Sequence, residues 1–108
     1  TFWHAGSAYR GLADVVNENG VDKRIRPNQI YAVSLPHSPL DREKQHAVVE
    51  VVRRELLTPF GLRTLASTEP GYLGRYRGGP YDRDRAYHNG TIWPWLIGGF
   101  LEAYLKVH

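Results

Sequence analysis

The segment with the most chemical potential is residues 87–95, Tyr-His-Asn-Gly-Thr-Ile-Trp-Pro-Trp. Two tryptophans flank a proline at a predicted helix start, and Gly90 permits a sharp turn just before it. The broad apolar faces of Trp93 and Trp95 can stack on the C–H faces of sugar rings, and their N–H groups can bond hydroxyls. His88 can also bond a hydroxyl or titrate near neutral pH. The alternative interpretation is that both tryptophans pack in the core and His88 is a satisfied buried histidine.

A second group of polar residues, Arg26, Asn28 and Gln29, lies on a short predicted helix that is otherwise apolar. Buried polar side chains need hydrogen-bond partners, so these residues can line a cleft that binds hydroxyls. Arg26 would then donate to a substrate or to a carboxylate. The alternative is that the group serves only as helix capping and a salt bridge.

The carboxylates do not form a recognisable catalytic pair. A glycosidase needs one acid and one base or nucleophile, and inverting enzymes hold the two about 6.5–9.5 Å apart. Among the 11 acidic residues, most fall on predicted surface helices or in solvated turns. Asp84, close to the 87–95 segment, is the one reasonable site candidate, so no catalytic residue is assigned.

Metal, cofactor and nucleic-acid sites receive little support. The five histidines are scattered, and no pair has ligand spacing on one helix face. No glycine-rich phosphate loop is present, so neither a metal nor an organic cofactor is expected. Arginines, glycines and tyrosines do interleave over residues 72–81, which is typical of single-strand RNA binding. Because Asp82 and Asp84 oppose that interpretation, a small basic module for RNA or another polyanion remains only an alternative.

Composition places the chain among globular proteins. It is 42% hydrophobic and carries 14 basic and 11 acidic residues, interspersed, for a net charge of +3. It has no cysteine, which excludes disulfides and thiolate metal sites. No run approaches the roughly 20 apolar residues of a membrane span, and no signal peptide is visible. We therefore expect a cytoplasmic protein with neither a membrane nor a nucleic-acid partner.

The apolar pattern predicts three helices, long structured connections and little strand. A short extended stretch at residues 12–16 is followed by a turn, and a helix begins at Arg26-Pro27 and ends before Pro36. Asp41 is predicted to cap a surface helix that ends near Pro59, and residues 67–89 are predicted to be loop. The last helix begins near Thr91 and has an unbroken apolar face, made of Ile92, Trp95, Leu96, Gly99, Phe100, Ala103, Tyr104 and Val107.

Taken together, four segments resemble the C-terminal amylo-α-1,6-glucosidase domain of glycogen debranching enzymes. They are residues 26–36, residues 55–65 (Glu-Leu-Leu-Thr-Pro-Phe-Gly-Leu-Arg-Thr-Leu), residues 72–76 (Tyr-Leu-Gly-Arg-Tyr) and residues 83–98. Their order and separations carry the resemblance, which covers nearly the whole chain and is weakest over residues 4–24. The chain does not begin with methionine, so we expect a piece of a longer protein, residues 1–108 forming part of one catalytic domain with no second domain.

The resemblance implies an all-α fold, part of an (α/α)6 toroid of six helical hairpins like that of glucoamylases. It implies inverting hydrolysis of the α-1,6-linked glucose left on a trimmed branch of glycogen or a branched α-glucan. The acid and base would lie outside this piece, so the isolated chain is expected to be inactive and to partner with the rest of the toroid. Another toroid-class hydrolase, such as a glucoamylase or trehalase relative, is the closest alternative. The substrate-binding positions that the resemblance implies are Arg26, Asn28, Gln29, Asp84, Tyr87, His88, Trp93 and Trp95.

Overall fold

A computed structural model describes residues 3–5, 10–73 and 79–108 of the chain. This part of the chain contains both helices and short strands. The strands are β1 (Trp3–Ala5), β2 (Arg10–Leu12), β3 (Val15–Asn17), β4 (Gly20–Asp22), β5 (Leu57–Thr58), β6 (Gly61–Arg63) and β7 (Ile92–Trp93). The α-helices are α1 (Tyr31–Ser34), α2 (Arg42–Glu55), α3 (Pro80–Tyr87) and α4 (Ile97–Val107), and 3-10 helices at Pro27–Ile30 and Pro94–Leu96 lead into α1 and α4.

The expectation of an all-α fold, part of an (α/α)6 toroid, is wrong for this chain. Within the described ranges, β1 pairs with β2, β3 pairs with β4, and β5, β6 and β7 form a three-stranded antiparallel sheet. The extended segments between the helices satisfy their backbone N–H and C=O groups by pairing with one another. Strands of two or three residues are too short to show the alternating pattern by which a strand is recognised in a sequence.

The first helical segment begins at a proline, as predicted. Pro27 stands in the first turn of the 3-10 helix, where its missing N–H needs no partner. The segment ends at Leu35, whose extended backbone (φ −71°, ψ 153°) suits the residue before a proline. The ammonium of Lys106, from α4, donates to the carbonyls of Val33 (2.8 Å) and Leu35 (2.9 Å). A cation on the free carbonyls of a helix end stabilises it and ties α4 to α1.

Helix α2 and its cap are also confirmed. The Asp41 carboxylate accepts a hydrogen bond of 2.9 Å from the backbone N–H of Lys44, which satisfies a donor that the helix leaves unpaired. The apolar face of α2 is fully buried, while its arginines and glutamates face outward. The core also takes residues from the first helical segment, from β6 and from α4, and its members are Ile25, Ile30, Val33, Val48, Val49, Val51, Val52, Leu56, Leu62, Ala66, Leu96, Phe100, Ala103 and Val107.

The predicted apolar face of the last helix is confirmed only in part. Leu96, Phe100, Ala103 and Val107 are buried against α1 and α2. Trp95 is 63% exposed, because the chain reaches α4 through β7 and a 3-10 helix rather than by a continuous α-helix. The three-residue turn of a 3-10 helix rotates the side chains relative to an α-helix, so the 3.6-residue period does not extend back to this residue.

The prediction of loop over residues 67–89 is wrong at its end, where α3 lies. This helix begins after Gly79 with Pro80 in its first turn. It is short and its sequence is largely polar, so it lacks the apolar stripe from which a helix is predicted. Residues 74–78, which carry much of the arginine and tyrosine pattern considered for RNA binding, lie outside the described residues.

None of the helices in the described part of the chain has both the length and the apolar content needed to cross a bilayer.

Candidate functional site

Four of the predicted site residues form one aromatic cluster, which we define as Tyr87, His88, Trp93 and Trp95. The Tyr87 ring lies 4.8 Å from the rings of both His88 and Trp93, measured between centroids. The His88 and Trp93 rings are 5.2 Å apart, and Trp93 stacks on Trp95 at 5.3 Å with an interplanar angle of 21°. These spacings are typical of favourable aromatic pairs. The structure therefore brings these four candidate side chains together, and their predicted role toward a sugar stays a prediction.

Two different elements position the aromatic cluster. Tyr87 is the last residue of α3 and His88 follows it, whereas Trp93 is held in β7 opposite Leu62 of β6. The prediction of a sharp turn at Gly90 fits its φ of +143°, a conformation that favours glycine. The turn brings the end of α3 back toward the sheet, so residues from both elements meet on one surface.

Arg26 anchors this turn from the other side of the chain. Its guanidinium donates to the carbonyl of Thr64 (3.2 Å), to the carbonyl of His88, and to Oδ1 of Asn89 (3.0 Å). A cation at these groups also complements the partial negative charge at the C-terminal end of α3. Arg26 therefore holds the segment that carries His88 in place.

Thr64 and Asn89 contribute to the site, although their roles were not predicted. The Thr64 hydroxyl donates to the carbonyl of Thr91 (2.9 Å) and accepts from the N–H of Gly90 (2.9 Å). The Asn89 amide donates to the carbonyl of Arg85 (2.6 Å), and the Thr91 hydroxyl donates to the carbonyl of Ala86 (2.7 Å). An Asn-Gly pair after a helix is a sequence signal for such a turn, but nothing around Thr64 marks it in the sequence.

A small pocket lies where the aromatic cluster meets Arg26. Its volume is about 40 Å³, which is room for a few water molecules at most and far below the size of an ordinary ligand pocket. The lining residues are Arg26, Pro27, Asn28, Thr64, His88 and Trp93. The indole Nε1 of Trp93, one of these residues, is buried and has no hydrogen-bond partner in the described ranges. Such an unpaired donor is unusual and calls for an acceptor.

Gln29, a predicted site residue, does not line this pocket. Gln29 is buried, and its amide accepts from the N–H of Leu12 (3.1 Å) and donates to the carbonyl of Arg26 (3.1 Å). Its side chain therefore links β2 to the first helical segment, and its predicted role toward substrate stays a prediction. Asp84 lies within α3, but its side chain lies outside the described part of the structure.

Asp14, which the sequence places in a solvated turn, proves to be half-buried beside Arg26. Its Oδ2 lies 3.6 Å from Nε of Arg26, and the two side chains are 16% and 13% exposed. Burial raises the pKa of Asp14, and the nearby Arg26 and Arg24 offset this only in part. Burial likewise lowers the pKa of Arg26, although a guanidinium stays protonated in proteins. The loss of hydration thus outweighs the attraction within this ion pair.

The two aspartates that flank the β3–β4 hairpin should titrate in opposite directions. Hydrogen bonds from the Arg24 side chain (2.6 Å for the shortest) lower the pKa of Asp22 to about 2, while the pKa of Asp14 lies above its ordinary 3.8. The contribution of Asp22 to stability is therefore present above pH 3.8 and is lost as the pH falls through about 2. The contribution of Asp14 to stability is present below pH 3.8 and is lost as the pH rises through the raised pKa of Asp14.

Carboxyl chemical shifts followed by NMR as a function of pH check this prediction directly. Asp22→Asn, which removes one titrating group, should make the unfolding midpoint in urea less sensitive to pH between about 4 and 2. An Asp22 carboxyl that titrates at or above 3.8 would contradict the assignment of its hydrogen bonds.

Comparison with known proteins supports a single family. A family model described as amylo-alpha-1,6-glucosidase matches residues 1–108, the whole chain. The glycogen debranching enzyme of Saccharomyces cerevisiae is 32% identical over 95 residues, covering 81% of this chain. The chain spans 6% of the length of that curated relative. The match over the whole chain, and the identity to this relative, agree with the resemblance seen in the segments at residues 26–36, 55–65, 72–76 and 83–98. The chain therefore belongs to the amylo-alpha-1,6-glucosidase family.

Proposed function

We propose that this chain forms part of the sugar-binding surface of an enzyme that hydrolyses, with inversion, α-1,6-linked glucose from trimmed glycogen branches. The observation that carries the proposal is the aromatic cluster, in which four predicted site residues lie in ring-to-ring contact. In the proposal the cluster stacks on glucose rings of the branch. The acid and the base come from parts of the protein outside residues 1–108.

The exposure of Trp95 supports a stacking role. Trp95 is 63% exposed, and its ring stacks on that of Trp93, 5.3 Å away and nearly parallel. A ring supported in this way loses little conformational freedom when a ligand covers it, which lowers the entropic cost of binding. Tyr87, 43% exposed, extends the same surface. Large aromatic side chains left in contact with water are typical of binding surfaces.

Polar groups beside the rings supply the hydrogen bonds that a sugar requires. The buried Nε1 of Trp93 is a donor without a partner among the described residues, and the exposed His88 and Asn28 adjoin the same pocket. Indole, imidazole and amide groups can donate to or accept from hydroxyl groups, and the Arg26 guanidinium at the same pocket adds further donors. The pocket is too small for a sugar ring, so in the proposal the ring lies on the cluster and a hydroxyl points toward Trp93.

Three of the described carboxylates are held by arginines, which fits a catalytic pair placed elsewhere. Inverting glycosidases need two carboxyl groups about 6.5–9.5 Å apart, with one free to protonate the leaving oxygen and the other to activate water. Asp14 is held by Arg26, and Glu50 and Glu55 pair with arginines of α2. We therefore expect the isolated chain to bind glucosides without releasing glucose.

Replacing the exposed tryptophan tests the proposal. Titration of the chain with isomaltose and with maltotriose, followed by tryptophan fluorescence, should give a saturable change that high salt leaves unaltered. Trp95→Ala should weaken binding by about fivefold or more, because an aromatic contact of about 1 kcal/mol corresponds to that factor. Trp93 remains in this variant as the fluorescent reporter.

The matched control is Trp3→Phe, which removes a tryptophan that packs at the edge of the core, near Lys44, instead of in the cluster. It should leave sugar affinity unchanged. Far-UV circular dichroism should show that both variants keep the helical content of the parent chain. Equal affinities of Trp95→Ala and the parent chain would exclude the cluster as a sugar site. A response only to RNA or heparin, lost in salt, would instead support the polyanion-binding alternative.

A further inference from the structure

Three side chains with metal-binding atoms meet on the outer surface where α2 and α4 pack together. They are His46 and Glu50 of α2 and His108, which follows α4. One ligand atom of each residue can be chosen such that all three lie within 4.8 Å of one another, and the two imidazole centroids are 4.9 Å apart. His46 and His108 are exposed and Glu50 is half-buried, so the cluster is open to ions in solution.

The packing of the two helices explains why these residues converge. His46 and Glu50 are four residues apart on α2, a spacing that places both on one helix face. His108 continues the last turn of α4, since its backbone N–H donates to the carbonyl of Tyr104 (3.0 Å). Buried residues of both helices share one core, and this fixes the end of α4 against α2. The juxtaposition therefore depends on the fold and is not a chance arrangement of flexible chains.

We propose that His46, Glu50 and His108 form a binding site for a divalent transition-metal ion of the zinc class. Two imidazoles and one carboxylate are a ligand set that Zn²⁺ uses, with bonds of about 2.0–2.2 Å. Three protein ligands leave one of the four tetrahedral positions for water. Tetrahedral geometry at these bond lengths requires ligand atoms about 3.3 Å apart. Side-chain rotations of these surface residues can supply the remaining approach.

Arg53 is the charged neighbour that a metal would have to accommodate. Its guanidinium donates to both carboxylate oxygens of Glu50, at 3.3 Å and 3.0 Å. These hydrogen bonds fix the orientation of the Glu50 carboxylate. A metal needs one of the two oxygens, and Arg53 can keep the other. Hydrogen bonds of this kind commonly orient carboxylate ligands, although the positive charge lowers the affinity.

A pattern search of the sequence misses this site because no two histidines share one helix face. The third ligand comes from a different helix and the second is a glutamate, so only the packing of α2 on α4 brings the set together. The proposal stands independently of the sugar-binding proposal, since the cluster uses other residues and other elements.

The test is a titration of the 108-residue chain with Co²⁺, whose visible absorption reports tetrahedral nitrogen and oxygen ligands, followed by displacement with Zn²⁺. We expect one Co²⁺ per chain and complete displacement by Zn²⁺. His46→Ala and His108→Ala should each weaken binding at least about tenfold, which is the loss that even supporting residues of metal sites cause. Zn²⁺ should also raise the urea midpoint of the parent chain, because it binds the folded state selectively.

His37→Ala is the matched control, because His37 is an exposed histidine in the turn after α1 and is not part of the cluster. It should leave Co²⁺ affinity unchanged. Without metal, all three variants should unfold at the parental urea midpoint, since the replaced side chains are exposed. Absence of Co²⁺ binding by the parent chain would overturn the proposal. The proposal would also be overturned if His46→Ala or His108→Ala kept the parental Co²⁺ affinity, or if His37→Ala lost as much Co²⁺ affinity as they do.

Discussion

Replacing Arg26 with alanine should destabilise the folded chain by about 3 kcal/mol, since it removes several charge-assisted hydrogen bonds and leaves a half-buried carboxylate unpaired. The guanidinium contacts two carbonyls, the Asn89 side chain and Asp14, and the Arg26 side chain is only 13% exposed. In the variant, the end of α3 loses its connection to the first helical segment. Urea unfolding followed by circular dichroism gives the free energy directly.

A second substitution at position 26 separates the effect of the shape of the guanidinium from that of its positive charge, and a substitution at Arg24 serves as the control. Arg26→Lys keeps the positive charge but replaces the planar guanidinium, which donates to several acceptors at once, with a single ammonium. We therefore expect it to recover no more than about half of the unfolding free energy that Arg26→Ala loses. Arg24→Ala removes a neighbouring arginine that is 44% exposed and pairs with Asp22 at the surface. Exposed pairs contribute less than buried ones, so this control should cost clearly less than Arg26→Ala. Equal losses in Arg26→Ala and Arg24→Ala would show that Arg26 does not anchor the site.

The partners of Arg26 show where prediction from sequence stops. The residue itself was a candidate from its type and position, because an arginine at the start of an apolar helix needs acceptors. Its acceptors lie 38, 62 and 63 residues away along the chain, and no local pattern connects them. Hydrogen bonds of this range follow from the packing of the sheet and helices, which a single sequence does not reveal.

Local signals were sufficient where a helix is long and amphipathic. The period of valines in α2 and the cap at Asp41 predicted that element and its buried face, because both signals act within a few residues. The seven short strands and α3, in the part of the chain that the structure describes, carry no comparable period. The all-α prediction came from the family resemblance, and the paired extended segments around residues 10–22 and 57–63 correct it.

The structure brings four of the candidate site residues together because they lie close to one another in sequence. Tyr87, His88, Trp93 and Trp95 fall within nine positions, and one turn at Gly90 is enough to bring the two halves into contact. The sequence does not predict the exposure of Trp95. The helical period placed Trp95 on the buried face, whereas the 3-10 turn leaves it open to solvent.

Replacing Gly90 with alanine should be the most damaging change among the glycines of the site. A β-carbon at this position would lie 2.4 Å from the carbonyl oxygen and 2.7 Å from the carbonyl carbon of Leu73. Both are backbone atoms and cannot move aside as a flexible side chain can. The φ of +143° adds strain for any residue with a β-carbon. We expect a loss of about 4 kcal/mol or more, combining backbone strain with a steric collision.

Gly20→Ala separates the collision from the strain. Gly20 has a similar φ, +133°, but a β-carbon there would meet nothing within 4 Å. This control should therefore cost only about 1–2 kcal/mol, the strain of the backbone alone. Urea unfolding of both variants gives the difference, and far-UV circular dichroism will show whether Gly90→Ala folds at all. Similar losses in the two variants would mean that the turn shifts to relieve the contact with Leu73. A much larger loss in Gly90→Ala would show that the close approach of Gly90 to the backbone of Leu73 leaves no room for a β-carbon at this turn.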